Sequence, residues 1–154
     1  MTKRHDDRPQ LFVLAGPNGA GKSTTARVLL PQTLGVEQFV NADCIAEGLS
    51  PFAPQSAAVQ AGRLMIHRIR ELLRNRESFG FETTLAGKRN ARLLREAIDA
   101  GYLVHLVYIW LSSPQLALAR VAHRVQQGGH DVPEETVRRR YNRGLINFFG
   151  LFRP

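Results

Sequence analysis

The sequence predicts a three-layer α/β/α fold with a mainly parallel sheet of about four strands. Two observations carry this. Short apolar runs alternate with stretches of helical period along the chain. The first such run, residues 11–15, passes through a glycine-rich turn into the first helical stretch. At 154 residues the chain suits one domain; residues 1–10 read as a polar tail and 11–154 as that domain.

Residues 11–15 read as a strand buried on both faces, because no polar side chain interrupts them. A helix over 22–30 follows, stopped by Pro31. "EQFVNAD" (37–43) reads as a second strand running into acidic and polar residues, and "LSPFAPQSAA" (49–58) as a loop. From residue 55 to 74, Val59, Ile66, Ile69 and Leu73 mark one helix face. "SFGFETTL" (78–85) reads as a third strand, 90–100 as a helix closed by Gly101, and "YLVHLVYIWL" (102–111) as the strongest strand. Ser112 or Ser113 caps a helix that has Pro114 in its first turn and ends near Gln127, before Gly128 and Gly129. "HDVPEETVRRR" opens the last helix, with Pro133 and two glutamates in its first turn, and it runs to "LINFFGLF".

Composition narrows the function classes. A chain of this size buries roughly 70% of its unfolded surface and needs no disulfide or metal to fold. Its single cysteine, Cys44, excludes an intramolecular disulfide and fits a reducing cytosol. No apolar run approaches the roughly 20 residues of a membrane span. The N-terminal "MTKRHDDRPQ" lacks the apolar core of a signal peptide. A cytoplasmic protein with no membrane partner is expected. The formal charge of +8 favours an anionic partner: a nucleotide, a phosphorylated metabolite or nucleic acid.

Gly16, Pro17, Asn18, Gly19, Ala20, Gly21, Lys22 and Ser23 fit the pattern G-x-x-x-x-G-K-S/T at every position, and Thr24 follows. Backbone N–H groups of such a loop, and the helix start behind it, face phosphate. Lys22 is expected to reach the β- and γ-phosphates of ATP, and Ser23 to hold Mg²⁺.

ATP-driven machines place an acid after a long apolar strand, where it holds the metal and positions water. The longest strand here ends in Leu111, Ser112 and Ser113, with no acid. Small P-loop kinases instead place an acid after an earlier strand and close an arginine-bearing helical lid over the moving phosphoryl group. Asp43 is the candidate base for an acceptor hydroxyl, with a helix cap for "CIAEGL" as its other reading. Glu82 lies at the end of the third strand, with Thr83 and Thr84 beside it, and could grip a sugar hydroxyl or a water of the metal shell. Asp43, Glu82 and the glycine loop all fall at carboxyl ends of strands, where sheets of this kind bind ligands. Arg120 and Arg124 lie one helical turn apart and are the lid candidates. Arg138, Arg139 and Arg140 follow the glycine turn, in which His130 could bind phosphate or substrate or cap the next helix. His105 reads as structural, and no His/Cys/Asp spacing suggests zinc.

In this order "GPNGAGKST", "NADCIA", "FETTLAG" and "RVAHRVQQGGHDVPEETVRRRYNRG" resemble the zeta-toxin family of P-loop kinases, over about residues 11–149. Better-known members phosphorylate the 3′-hydroxyl of the sugar in UDP-N-acetylglucosamine. The resemblance implies an ATP- and Mg²⁺-dependent kinase. Lys22 would be its P-loop lysine and Asp43 its base. Glu82 and Thr84 would be its substrate-gripping Glu-x-Thr, and Arg120 or Arg124 its first lid arginine. It also implies a hydroxyl-bearing small-molecule acceptor and makes an antitoxin protein a candidate partner. The second lid arginine falls nearest His130 or in the 138–140 run. A family glutamate falls on Ile66, and an arginine near residues 86–88. Family folds add a strand after the last helix. Where this sequence stops at "FFGLFRP", either a smaller sheet or something covering that edge, such as a partner chain, is expected. Two other readings stand beside this one. One is a P-loop kinase for another acceptor, namely a nucleoside, an antibiotic or a polynucleotide end, although no aromatic stacking pattern supports nucleic acid. The other is a non-catalytic, nucleotide-dependent binding module.

Overall fold

A computed structural model describes residues 7–152. Four parallel strands, β1 (Gln10–Ala15), β2 (Gln38–Val40), β3 (Phe79–Thr83) and β4 (Leu103–Tyr108), form one sheet in the order β2-β3-β1-β4. Six α-helices connect and cover them: α1 (Lys22–Val28), α2 (Ala42–Leu49), α3 (Ala58–Asn75), α4 (Arg89–Asp99), α5 (Pro114–Gln126) and α6 (Glu134–Asn147). β1 is central, paired with β3 on one side and β4 on the other. That position explains its unbroken apolar sequence, because both of its faces are covered. Leu11 and Val13 pack with Ile69, Leu72, Leu93 and Leu94 of α3 and α4. Phe12 and Leu14 pack on the opposite face with Ala26 and Leu30. The three layers are thus α3/α4, the sheet, and α1. A separate apolar cluster, including Ala20, Ala117, Val121, Val137 and Tyr141, fixes α5 and α6 to the phosphate loop.

Several boundaries differ from expectation. Residues 1–6 of the expected tail lie outside the described residues, while Gln10 is in β1 and the Pro9 carbonyl accepts from Leu103 N–H. Residues 41–43 are not strand. Asn41 caps α2, its Oδ1 accepting from the N–H groups of Asp43 (2.8 Å) and Cys44 (3.2 Å). Pro31 does not end the first helical segment outright. Lacking an N–H, it sits in a wider turn, Leu29–Thr33, closed by Leu34 N–H on the Leu29 carbonyl. Val59, expected on the buried face of α3, is 71% exposed, because Ala61 of α3 and Ala57 of the turn before it are the small residues that pack against Ala46 of α2. The strongest apolar strand proves to be an edge. β4 stops at Tyr108, with Val107 and Trp110 exposed. Tyr102 leaves the strand to place its hydroxyl at 2.9 and 2.8 Å from the carbonyls of Leu72 and Glu77. His105 is structural, stacked on Phe12 with ring centroids 4.5 Å apart and bonded to Gln10.

Candidate active site

The glycine loop leaves the carboxyl end of β1 and is held before any ligand arrives. Gly16 N–H donates to the Thr83 carbonyl, and a Cβ at Gly16 would collide with the Ile109 carbonyl. With φ at 147°, that position admits little but glycine. Lys22 is buried, and its Nζ donates to the Pro17 carbonyl at 3.0 Å. Burial lowers its pKa from the ordinary value of 10.5, while the nearby charges of Glu82 and Asp43 oppose that shift. Gly16, Pro17 and Ala20 are buried under the loop. Asn18, Gly19, Gly21, Lys22, Ser23 and Thr24 line a cleft of about 420 Å³ above it, the nucleotide cleft.

β3 delivers Glu82 beside this loop. Ser23 Oγ donates to Glu82 Oε2 at 2.6 Å, and Asn41 Nδ2 lies 3.4 Å from the same hydroxyl. A hydroxyl and a carboxylate in contact form an all-oxygen donor pair that suits Mg²⁺. Among the described residues no group of three or more His, Cys, Asp or Glu side chains could hold a metal by itself. The residues present therefore fit a Mg²⁺ shared with a nucleotide's phosphates.

α2 places Asp43 in its first turn. Because Asn41 performs the capping, the Asp43 carboxylate is not used as the cap and is exposed to the clefts. Asp43 and Glu82 both line the nucleotide cleft and an inner cleft of about 210 Å³, where Lys22, Asn41, Thr84, Asn90 and Arg140 also appear. Asp43 also borders an outer cleft of about 420 Å³ with His130, Arg139 and Arg140. It therefore stands where three cavities meet.

The loop after β3 is fixed from several sides. Leu85, fully buried, has a left-handed backbone (φ 56°). Its N–H is taken by Thr83 Oγ1, and its carbonyl accepts from Asn147 Nδ2 at 2.6 Å. Asn90 also donates to Thr83 Oγ1. Gly144 of α6 lies against the Thr84 carbonyl, with no room for a Cβ. The Thr83 hydroxyl is thus held by α4 and its own loop, and the Thr84 backbone lies against α6.

Arg120 and Arg124 both line the nucleotide cleft, together with His123. Arg120 Nη1 reaches the Gly19 carbonyl at 3.5 Å. Arg124 Nη2 donates to the His130 carbonyl at 2.7 Å, which ties α5 to the turn before α6. His130 does not reach the nucleotide or inner cleft, but it joins Asp43 in the outer one. Its Nδ1 and the Asn18 Oδ1 are buried polar atoms without a partner among the described residues.

The sequence pattern does not point to Asn41, Asn90 or His123 as cleft residues, and it indicates Arg140 only as one of three adjacent arginines. For Asn41 a signal for the cap was present: an Asn immediately before an amphipathic helix. Arg140 carried none, because which face of α6 turns inward depends on the packing of Val137, Tyr141, Gly144 and Asn147.

A family model described as an AAA domain (AAA_33) matches residues 11–143. The chain belongs to this family. An uncharacterized protein of Haemophilus influenzae is 33% identical over 126 residues, covering 82% of this chain and 88% of that protein. Among solved structures, one from a study of the PezAT chromosomal toxin-antitoxin system of Streptococcus pneumoniae superposes with a TM-score of 0.67 at 18% identity, covering 81% of this chain. The present chain spans about half of that one, 55% of its length. Shikimate kinase from Acinetobacter baumannii superposes with a TM-score of 0.57 at 21% identity, covering 94% of this chain and 78% of the kinase. These likenesses establish a P-loop kinase-like fold for this family member. Among the described residues no helix is long and apolar enough to cross a membrane.

Proposed function

We propose that this protein is a phosphotransferase that moves the terminal phosphoryl group of ATP to a hydroxyl of a small acceptor. The observation that carries the reading is the place of Asp43, which lines both the cleft over the phosphate loop and the clefts beyond it. A group that only bound nucleotide would have no need to face the second cavity.

The residues divide the work as follows. Lys22 and the loop N–H groups hold the β- and γ-phosphates. Phosphate beside Lys22 offsets the burial of its ammonium. Ser23, with Glu82 bonded to it, would hold Mg²⁺, which neutralises phosphate charge when bound. Asp43 accepts the proton of the acceptor hydroxyl as its oxygen bonds to the γ-phosphorus; the bond from that phosphorus to the β–γ bridging oxygen breaks, and ADP leaves. Arg120 and Arg124 line the same cleft and are placed to stabilise charge on the moving group. Thr84 and Glu82 border the inner cleft and orient the acceptor.

The motif resemblance, with the fold likeness to a protein of a toxin–antitoxin system, supports a kinase of zeta-toxin type acting on the sugar of UDP-N-acetylglucosamine, with an antitoxin protein as partner. The inner cleft offers Ile66 and Met65 on its α3 side. It therefore lacks the glutamate that the zeta-toxin family presents there, and this keeps other hydroxyl acceptors in view. One observation favours a second reading. Glu82 is the penultimate residue of β3, the strand beside β1, and touches Ser23, so an acid does stand where a hydrolase needs one. The lack of an acid after β4 therefore does not separate hydrolysis from transfer. Incubation with ATP, Mg²⁺ and UDP-N-acetylglucosamine, then with a panel of nucleosides and sugars, decides between them. A phosphorylated acceptor in the mass spectrum supports transfer, and release of inorganic phosphate alone supports hydrolysis.

A further inference from the structure

Arg140 is half-buried where the inner and outer clefts join, and lines both. Among the described residues no carboxylate lies within 4 Å of its guanidinium, in contrast to Arg138, which is paired with Glu134 at 2.8 Å. A guanidinium has five donors in a planar fork. Among the described residues no protein acceptor takes those donors, so they are available to a ligand in the clefts that the residue lines. Burial weakens its hold on the proton, and Asp43 is the acid that opposes this. Arg139 and His130 stand on the wall of the same outer cleft, with Asp131 as its other acid. Neither Arg139 nor Arg140 lines the nucleotide cleft, whose walls already carry Arg120 and Arg124.

We propose that Arg140 and Arg139 form an anion subsite on the acceptor side of Asp43, and that the acceptor is a small alcohol carrying a phosphate ester. Its phosphate is gripped in the outer cleft while its hydroxyl enters the inner one. The inner cleft is half the volume of the outer. The hydroxyl-bearing part is therefore the smaller end of the ligand. This rests on the kinase reading above for the role of Asp43, but it makes a claim about binding that needs no turnover.

The test uses the full chain saturated with a non-hydrolysable ATP analogue and Mg²⁺, so that the phosphate loop is filled. Glycerol 3-phosphate and glycerol, then glucose 1-phosphate and glucose, are titrated in while backbone amide shifts around residues 128–140 are followed by NMR. The phosphorylated member of each pair is expected to bind at least about tenfold more tightly, the size of one charge-assisted hydrogen bond. R140Q removes that advantage, and R138Q keeps it. The inference is overturned if neutral and phosphorylated partners bind alike, or if the preference survives in the R139Q/R140Q double variant. It is overturned equally if the monoesters fail to bind and a 5′-hydroxyl oligonucleotide binds instead. Transfer to neutral alcohols without the binding preference would sink this inference and leave the kinase reading standing. The preference without transfer to any acceptor would do the reverse.

Discussion

Ser23 Oγ donates a 2.6 Å hydrogen bond to Glu82 Oε2, joining the first helical turn after the phosphate loop to the end of the neighbouring strand. The two residues are 59 positions apart, and only the parallel pairing of β1 with β3 brings them together. The contact defines an oxygen-donor pair beside Lys22, at the floor of the nucleotide cleft.

If that pair holds Mg²⁺, E82Q lowers Mg²⁺-dependent nucleotide affinity or turnover by about 10–100-fold. The fold is retained, because Glu82 is only partly buried. Titration of Mg²⁺ at fixed ATP reads this directly. An unchanged Mg²⁺ dependence in E82Q removes Glu82 from the metal site.

Asn41 makes two separable contacts, capping α2 with Oδ1 and approaching Ser23 with Nδ2. N41A loses the cap and costs about 1 kcal/mol of stability in chemical denaturation. N41S keeps a capping oxygen and recovers most of that loss, yet it cannot donate to Ser23 as the amide does. Weaker Mg²⁺–nucleotide binding in N41S at near-normal stability is the expected signature.

Asn147 pins the loop that carries Thr84, through the Leu85 carbonyl. N147A leaves that buried acceptor unpaired, which costs about 1–3 kcal/mol. The acceptor KM rises while the affinity for an ATP analogue stays the same. Equal losses in both would show that α6 supports the whole domain rather than the acceptor side.

Burial holds the Lys22 pKa below 10.5 in the folded chain. Between the lowered value and 10.5 the unfolded chain binds the extra proton, so this group's contribution makes the fold more stable as pH rises through that window. Bound phosphate favours the charged form and reverses the preference. Affinity for an ATP analogue therefore falls as pH is raised from neutral towards 10.5, and calorimetry on K22M shows weak binding without that alkaline fall. A wild-type affinity that is flat across this range contradicts the assignment.

The phosphate loop was legible because all of it is local: strand, glycines, lysine, hydroxyl and helix follow one another without a gap. Asp43 and Glu82 were legible as acids at strand ends. Their relation to Ser23 was not, because strand order is a tertiary property. The longest apolar run is β4, an edge strand, whereas the acid beside the phosphate loop stands on β3. The role of Asn41 was hidden by reading residues 37–43 as one strand, which a cap at residue 41 cuts short. Arg140 could not be told from its two neighbours until α6 was packed through Tyr141, Gly144 and Asn147, which turns residue 140 toward the clefts and leaves Arg138 paired on the surface.

Asp43, at the junction of the clefts, carries the central claim, and general-base assistance of this kind is worth about 10²–10⁴ in rate. The most direct measurement compares wild type with D43N, using ATP, Mg²⁺ and the acceptor panel, with phosphorylated product and free phosphate quantified by mass spectrometry and ATP-analogue affinity measured alongside. The account predicts a phosphorylated acceptor from wild type, a loss of that size in D43N, and unchanged nucleotide affinity. Full transfer by D43N, or phosphate passed only to water by the wild type, would contradict it.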